Sequence, residues 1–169
     1  MTDQTTLPAR PLVTRLGLLA FVLALGIVSL DQLTKQWVLH GLNLPQLGSI
    51  EVLPFFHLTM VWNAGVSFGL LRADADLMRW GLAAFQLIVA ICLIVWARKA
   101  DRPLLALALG LVIGGALGNF IDRVRYGAVV DFLDFKGLYF PWVFNIADSA
   151  ITIGVVLLIA ESLLQPKRV

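Results

Sequence analysis

Long apolar segments alternate with shorter polar segments along the chain. A membrane hydrocarbon core about 30 Å thick needs roughly 20 apolar residues per helix, and the chain offers four such segments. We predict transmembrane helices at about residues 11–39, 77–98, 103–123 and 141–164. All four belong to one integral membrane domain, which we expect to cover residues 1–169.

The segment between the first two predicted helices has a different pattern. Apolar residues occupy every second position from Phe56 to Trp62, which is typical of a half-buried strand, and a shorter alternation around residues 50–52 could pair with it. Open sheet edges are not tolerated in hydrocarbon, so this sheet must lie at the membrane surface. The predicted fold class is a membrane all-α protein with four transmembrane helices and a small outer-face β-sheet, a cradle at about residues 42–71.

The first apolar segment has a second interpretation. The uncharged run from Leu16 to Leu30 alone would suit the core of a signal peptide. No small-x-small cleavage pattern follows it, however, and the helical pattern continues from Asp31 into Lys35. A first transmembrane helix is therefore the better interpretation.

Composition supports a membrane protein. Hydrophobic residues make up 59% of the chain and charged residues only 14%, with a mean hydropathy of +0.86, whereas soluble domains carry roughly 25% charged residues. The net charge of +2 is small and the basic residues are scattered, so we expect no nucleic-acid partner. The chain has a single cysteine, Cys92, which excludes a disulfide within it.

Basic residues beside the predicted spans indicate the orientation. If the chain crosses four times, three groups fall on one side: Arg10 with Arg15, the cluster at residues 98–102, and Lys167 with Arg168. Loops rich in lysine and arginine remain in the cytoplasm, so both termini are expected there. Other basic residues are spread through the longer outer loops. Most acidic residues gather toward the outer half, where we expect the polar chemistry.

Two carboxyl groups are the strongest candidates for that chemistry. Asp148 lies in an apolar run that continues to Ala160, where an ionisable side chain is costly and indicates a functional site. Asp131 lies in the segment 127–132, which is poorly suited to a helix and which we expect to return toward Asp148 as irregular, re-entrant backbone. Acid–base hydrolysis by carboxyl groups requires at least two of them facing each other in an apolar setting.

Asn145 and Asp148 also fit a helix N-cap followed by an acid in the first turn. Capping alone does not explain the depth of the acid. At about 1.5 Å per residue, Asp148 lies roughly 20 Å from Glu161 at the cytoplasmic end, and so about 10 Å inside the outer boundary of the core. We favour a functional role for Asp148, with capping as a second role of Asn145.

Asn119, Asp122 and Arg123 project from one face of the last turn of the third predicted helix. Asp122 competes with Asp131 for the role of second acid. An adjacent arginine favours an ionised carboxylate, however, which suits a permanently charged support better than a proton shuttle.

Asp31 and Lys35 are four residues apart and share one face of the first helix. They form either a partly exposed ion pair, which would contribute little to stability, or a part of the polar site.

At these residues the sequence closely resembles the lipoprotein signal peptidases, also called signal peptidase II. The motifs that carry the resemblance follow the family order over nearly the whole chain. They are Asp31-Gln32-Leu33-Thr34-Lys35, Asn63-Ala64-Gly65-Val66-Ser67-Phe68-Gly69, the segment from Gly114 to Arg123, Val129-Val130-Asp131-Phe132 and Phe144-Asn145-Ile146-Ala147-Asp148-Ser149.

The resemblance implies an aspartic endopeptidase of the bacterial inner membrane that needs no metal or cofactor, with Asp131 and Asp148 as the catalytic pair. Its substrates would be prolipoproteins whose signal peptide precedes a cysteine that carries diacylglyceryl, and it would cut just before that cysteine. We expect membrane lipids around it and a monomer. The residues that it implies as site support or substrate contacts are Asn63, Asn119, Asp122, Arg123, Asn145, Asp31 and Lys35.

Two other classes of membrane protein are alternatives. A small transporter or proton-relay subunit would place Asp31, Asp122 and Asp148 along a polar path, but the sequence shows no paired halves with broken helices. An enzyme acting on lipid phosphate would need clustered basic residues or a multi-acid metal motif, which the sequence lacks.

Overall fold

A computed structural model describes residues 12–65 and 75–164 of the chain. Within these ranges the helices are α1 (Arg15–Gln36, continued by a π-helical turn, Trp37–Gly41), α2 (Leu44–Leu47), α3 (Ala75–Ala97), α4 (Pro103–Tyr126) and α5 (Ile146–Leu163). The strands are β1 (Ser49–Leu53), β2 (Phe56–Asn63), β3 (Val129–Asp134) and β4 (Val143–Phe144), and a short 3-10 helix spans Lys136–Leu138.

Four of the helices in the described ranges are long and apolar enough to cross a membrane, which confirms the predicted fold class. The spans are Arg15–Gly41, Asp76–Ala97, Pro103–Tyr126 and Ile146–Leu163. The fourth begins later than the expected residue 141, because Val143 and Phe144 pair as a strand and Asn145 caps the helix. Residues 66–71 of the expected cradle lie outside the described ranges.

Helix α4 is the centre of the bundle. In its membrane-spanning window 67% of the residues are buried, against 17–22% in the other three spans, because α1, α3 and α5 all pack against it. Small residues line these contacts and let the backbones approach closely. A Cβ on Gly118, for example, would lie only 2.6 Å from Oδ2 of Asp31 on α1.

The described strands form one antiparallel sheet in the order β1-β2-β3-β4. The segment around Asp131 is therefore a regular inner strand, and the expectation of irregular re-entrant backbone was wrong. Its run of valines and a phenylalanine suits a strand buried on both faces. Strand β2 pairs with β3 through Val61 opposite Asp131, and a bulge between Leu58 and Val61 interrupts the register.

The sheet lies over one end of the bundle. Val130 and Phe132 of β3 pack into a buried apolar cluster with Val38 and Leu39 from the end of α1 and with Leu44. The strand thus positions Asp131 directly above the helices.

Polar contacts close the opposite end of the bundle. The Thr14 hydroxyl accepts a hydrogen bond from Gly17 N at 2.9 Å, capping α1, and donates to Ala100 O at 2.6 Å. Arg102, which precedes α4, pairs with Glu161 near the end of α5. The start of α1, the turn between α3 and α4 and the end of α5 therefore share the end away from the sheet.

The close approach at Gly118 predicts that Gly118→Ala destabilises the protein. The added Cβ forces the Asp31 carboxylate from its place, and overpacking of this kind costs about 1–3 kcal/mol. Thermal unfolding in detergent micelles measures the loss. Gly26→Ala is the matched control, because no atom lies within 4 Å of its added Cβ and alanine favours the helix by about 0.5–1 kcal/mol. A Gly118→Ala midpoint at or above that of Gly26→Ala would contradict the prediction.

Candidate active site

Asp131 and Asp148 meet at the end of the bundle that the sheet covers. Asp131, on β3, is 1% exposed, whereas Asp148, in the first turn of α5, is half-buried. The two carboxyl groups are near enough for the charge of Asp148 to act on Asp131. The chain therefore brings together the two acids that the sequence singled out.

Two amide side chains connect the acids. Asn145 donates from Nδ2 to Asp131 Oδ1 at 2.7 Å, to Asn119 Oδ1 at 3.2 Å and to Val130 O at 3.3 Å. Asn119 donates from Nδ2 to Asp148 Oδ1 at 2.7 Å. Each carboxyl group thus receives an amide N–H, and the two amides contact each other.

Asn145 and Asp148 form a capping box. Asn145 Oδ1 accepts from Asp148 N at 2.9 Å, and Asp148 Oδ2 accepts from Asn145 N at 3.2 Å. The capping interpretation is confirmed, but it does not exclude a role in the site. The same two side chains also contact Asp131 and Asn119, so capping holds Asp148 in place within the polar cluster.

Asn63, at the end of β2, supplies another contact. Its Nδ2 donates to Asp131 Oδ2 at 2.9 Å, and its Oδ1 accepts from Gly65 N at 2.8 Å. The backbone N–H fixes which end of the amide faces the carboxyl group. Asp131 therefore accepts one hydrogen bond on each oxygen, from Asn63 and from Asn145.

Lys35 lies fully buried beneath this cluster. Its Nζ is 2.8 Å from Asp31 Oδ2, 2.7 Å from Asp122 Oδ2 and 3.1 Å from Asn119 Oδ1. Lys35, Asp31 and Asp122 each have 0% side-chain exposure, so the interpretation of a partly exposed ion pair was wrong.

The carboxylates beside Lys35 reach other elements as well. Asp31 Oδ1 accepts from Ala147 N at 3.0 Å, and Asp122 Oδ2 accepts from Val130 N at 3.1 Å. The cation that pairs with Asp122 is Lys35 and not the adjacent Arg123, contrary to the sequence interpretation. Neighbouring residues on a helix point in different directions, which explains the difference.

Arg123 is 8% exposed and lies on the α3 side of the site. Its Nη1 donates to Gln86 Oε1 at 3.1 Å. Its charge acts on Asp148, Asp131 and Asp122. Arg123 thus contributes a positive potential to the acid pair.

Burial and, after it, the nearby negative charge of Asp148 raise the pKa of Asp131 to about 7. Hydrogen bonds from Asn63 and Asn145 and the charge of Lys35 oppose these effects without cancelling them. Asp131 therefore retains a proton near neutral pH, as acid–base catalysis requires of one member of a carboxyl pair.

Sequence reasoning missed two glutamines. Gln32 donates from Nε2 to Asp122 Oδ1 at 2.9 Å and to Gly118 O at 3.2 Å, and Gln86 is the acceptor for Arg123. Both lie in apolar helices, where an amide needs a partner, and that signal could have identified them. Among the described residues, no group of three or more His, Cys, Asp or Glu side chains could hold a metal ion.

A carboxyl pair held by amides at one end of a four-helix membrane domain is the arrangement of a membrane-embedded aspartic hydrolase. The sequence model described as signal peptidase (SPase) II matches residues 23–164. The chain belongs to the signal peptidase II family, which confirms the resemblance seen in its motifs, and it is a signal peptidase of the aspartic protease class.

Relatives match along most of their length. The lipoprotein signal peptidase of Caulobacter vibrioides is 55% identical over 92% of this chain and 93% of its own. That of Rhodopseudomonas palustris is 43% identical over 89% of this chain and 93% of its own. A bacterial membrane enzyme solved by the in meso method at 1.9 Å resolution superposes with a TM-score of 0.74 and 35% identity, covering 88% of this chain and 94% of that one.

The raised pKa of Asp131 predicts a pH-dependent effect of Asp131→Asn on stability. The pKa is higher in the folded state (about 7) than in the unfolded chain (3.8), so the folded state binds more protons between these values and stability falls as pH rises through them. Asparagine removes this loss. As the pH rises from 5 to 8, the free energy of unfolding of Asp131→Asn should increase by about 2–3 kcal/mol relative to that of wild type. Denaturation at each pH measures this difference.

Asp134→Asn on the same strand is the control. Burial acts to raise the pKa of Asp134, but hydrogen bonds from the Thr59 hydroxyl and from Lys136 N outweigh it and hold the pKa below its usual range. Its effect on stability should therefore be constant from pH 5 to pH 8. The prediction for Asp131 is refuted by an equally constant difference between Asp131→Asn and wild type.

Proposed function

We propose that this chain removes signal peptides from prolipoproteins with Asp131 and Asp148 as its catalytic pair. Membership of the signal peptidase II family and the relatives named lipoprotein signal peptidase support the substrate class. The observation that carries the residue assignment is the buried amide of Asn145, which donates to Asp131 Oδ1 at 2.7 Å and caps against Asp148. Asn63, Asn119, Asp122, Arg123, Asp31 and Lys35 orient or stabilise this pair without reacting.

The two acids share one proton, which resides on Asp131. Asp131 is nearly completely buried, and a negative charge there is unfavourable. Asp148 receives hydrogen bonds from Asn119 Nδ2 and Asn145 N at the start of α5, where the helix dipole favours a negative charge. The resting state is therefore a neutral Asp131 beside an ionised Asp148.

Peptide hydrolysis follows from this arrangement. The ionised Asp148 takes a proton from a water molecule, whose oxygen attacks the carbonyl carbon of the scissile bond. Protonated Asp131 donates a hydrogen bond to the carbonyl oxygen as negative charge develops there. Collapse of the tetrahedral intermediate breaks the C–N bond, and a carboxyl group returns a proton to the leaving amine.

The finer substrate and membrane assignments follow the same proposal. The enzyme cuts before a diacylglyceryl-modified cysteine, whose acyl chains remain in the outer leaflet of the bacterial inner membrane. The acid pair lies toward the periplasm and both termini in the cytoplasm, which is supported by the basic residues Arg98, Lys99 and Arg102 at the end opposite the sheet. A monomer surrounded by membrane lipids suffices, because one chain supplies all the hydrogen bonds described around the pair.

The transporter alternative is not favoured, since the family match and the relatives' names point to proteolysis. Asp31 and Asp122 both pair with Lys35, Lys35 also donates to Asn119, and Asn119 donates to Asp148. These acids therefore lie in one compact cluster rather than along a path across the membrane.

Asp131→Asn and Asp148→Asn should each abolish cleavage, because neither asparagine can exchange a proton with water or with the leaving amine. Mass spectrometry of a diacylglyceryl-modified prolipoprotein, incubated with purified enzyme in detergent, measures the product. We expect a loss of at least about a thousandfold. Asp76→Asn, at an exposed acid near the start of α3, is the control and should cleave like wild type. Near wild-type cleavage by either catalytic variant would overturn the assignment.

The proton on Asp131 predicts the alkaline limb of the pH–rate profile. Because the pKa of Asp131 is about 7, the proton donor is lost as pH rises through neutrality, and kcat should fall about tenfold for each further pH unit. Initial rates between pH 5 and pH 9, with thermal midpoints recorded in the same buffers, separate this effect from unfolding. A rate that stays constant up to pH 9 would show that Asp131 does not supply the proton.

A further inference from the structure

Gln86 is an unusual residue in helix α3. Between Trp80 and Ala97 it is the only residue with an amide, hydroxyl or charged side chain. A polar group facing lipid is unfavourable, so its presence calls for a specific partner. That partner is Arg123 on α4, whose Nη1 donates to Gln86 Oε1 at 3.1 Å.

Arg123 is close to the acid pair but does not bond to it. Its guanidinium acts electrostatically on Asp148, Asp131 and Asp122. Yet across residues 12–65 and 75–164 no carboxylate oxygen lies within ion-pairing distance of it. A direct pair with Asp148 would be expected for a buried guanidinium that had no other acceptor.

We propose that Gln86 is a positioning residue that holds the guanidinium of Arg123 back from the catalytic pair. This inference rests on the proposed function. A neutral acceptor satisfies one Arg123 N–H without adding charge, so the positive potential at the pair remains while Asp148 stays free to accept a proton from water. An arginine in direct contact would stabilise the ionised carboxylate and weaken it as a base.

Loss of the Gln86 acceptor leaves a buried N–H of Arg123 unsatisfied, which is costly. The guanidinium then turns toward Asp148, the carboxylate whose charge acts on it most strongly. A closer positive charge makes the shared proton easier to lose, so the alkaline limb of the pH–rate profile moves to lower pH.

Other charged groups surround the pair and are unaffected by a change at position 86. They are Asp31 and Lys35 on α1, Asp122 on α4, and Arg79 at the start of α3, which donates to the carbonyl oxygens of Arg123 and Val124 at 2.8 Å. None of these side chains is hydrogen-bonded to Gln86 in the described part of the chain, where the partner of Gln86 is Arg123.

The test compares two substitutions at this position. Gln86→Met keeps the length and removes the acceptor; Gln86→Glu keeps an acceptor that can hold Arg123. Phe85→Leu, at the neighbouring position exposed on the outside of α3, is the control for a general disturbance of the helix. Full pH–rate profiles on a diacylglyceryl-modified prolipoprotein give kcat and KM separately, and thermal midpoints report folding.

We expect Gln86→Met to lower kcat about tenfold at pH 7, to change KM less than about twofold, and to move the alkaline limb down by about one pH unit. Gln86→Glu should leave the limb at or above its wild-type position, and Phe85→Leu should match wild type throughout.

The inference is overturned if the alkaline limb of the pH–rate profile does not move in Gln86→Met, whether or not the rate falls. A purely structural role would lower the rate and the thermal midpoint without moving this limb. If Gln86→Met does not fold, a downward shift in Gln86→Glu overturns it instead. Failure of the proposed function is distinguishable, since it would appear as cleavage retained by Asp131→Asn or Asp148→Asn.

Discussion

The buried ammonium of Lys35 is the interaction on which the rest of the site depends. It is paired with Asp31 on its own helix and with Asp122 on α4. Those carboxylates in turn accept the backbone N–H of Ala147 on α5 and of Val130 on β3. Removing one partner of a buried ion pair leaves an uncompensated charge and typically costs several kcal/mol. One cation therefore ties α1 to α4 and, through its partners, to the two elements that carry the candidate acids.

The same ammonium sets the orientation of the amides. Lys35 donates to Asn119 Oδ1, so the NH₂ group of Asn119 must point to Asp148. Asn145 is fixed in the same way, because its oxygen accepts the N–H of Asp148 and its nitrogen is left for Asp131. Both acids thus face hydrogen-bond donors whose direction is determined by Lys35 and by a backbone N–H, and not by the two carboxyl groups. Preorganised donors of this kind need no reorientation when charge moves during a reaction.

Sequence patterns predicted the elements that depend on residues close together in the chain. The four spans followed from apolar length, and the pairing of β1 with β2 followed from alternation on either side of a short turn. The pairing of β2 with β3 joins segments far apart in the chain, and no local pattern shows it. The partner of Asp122 was missed for the same reason: the adjacent Arg123 is nearer in sequence, but Lys35 is nearer in space. Gln86 is visible as a lone amide in an apolar helix, although its partner is not.

The bulge in β2 allows the two halves of one strand to contact acids on opposite faces of the sheet. Thr59 and Asn63 are four residues apart and would share a face in a regular strand, yet Thr59 donates to Asp134 and Asn63 to Asp131. Those acids are three residues apart on β3 and point to opposite faces. The extra residue reverses the alternation midway along β2, so the first half of the strand contacts Asp134 on one face of the sheet and the second half contacts Asp131 on the other.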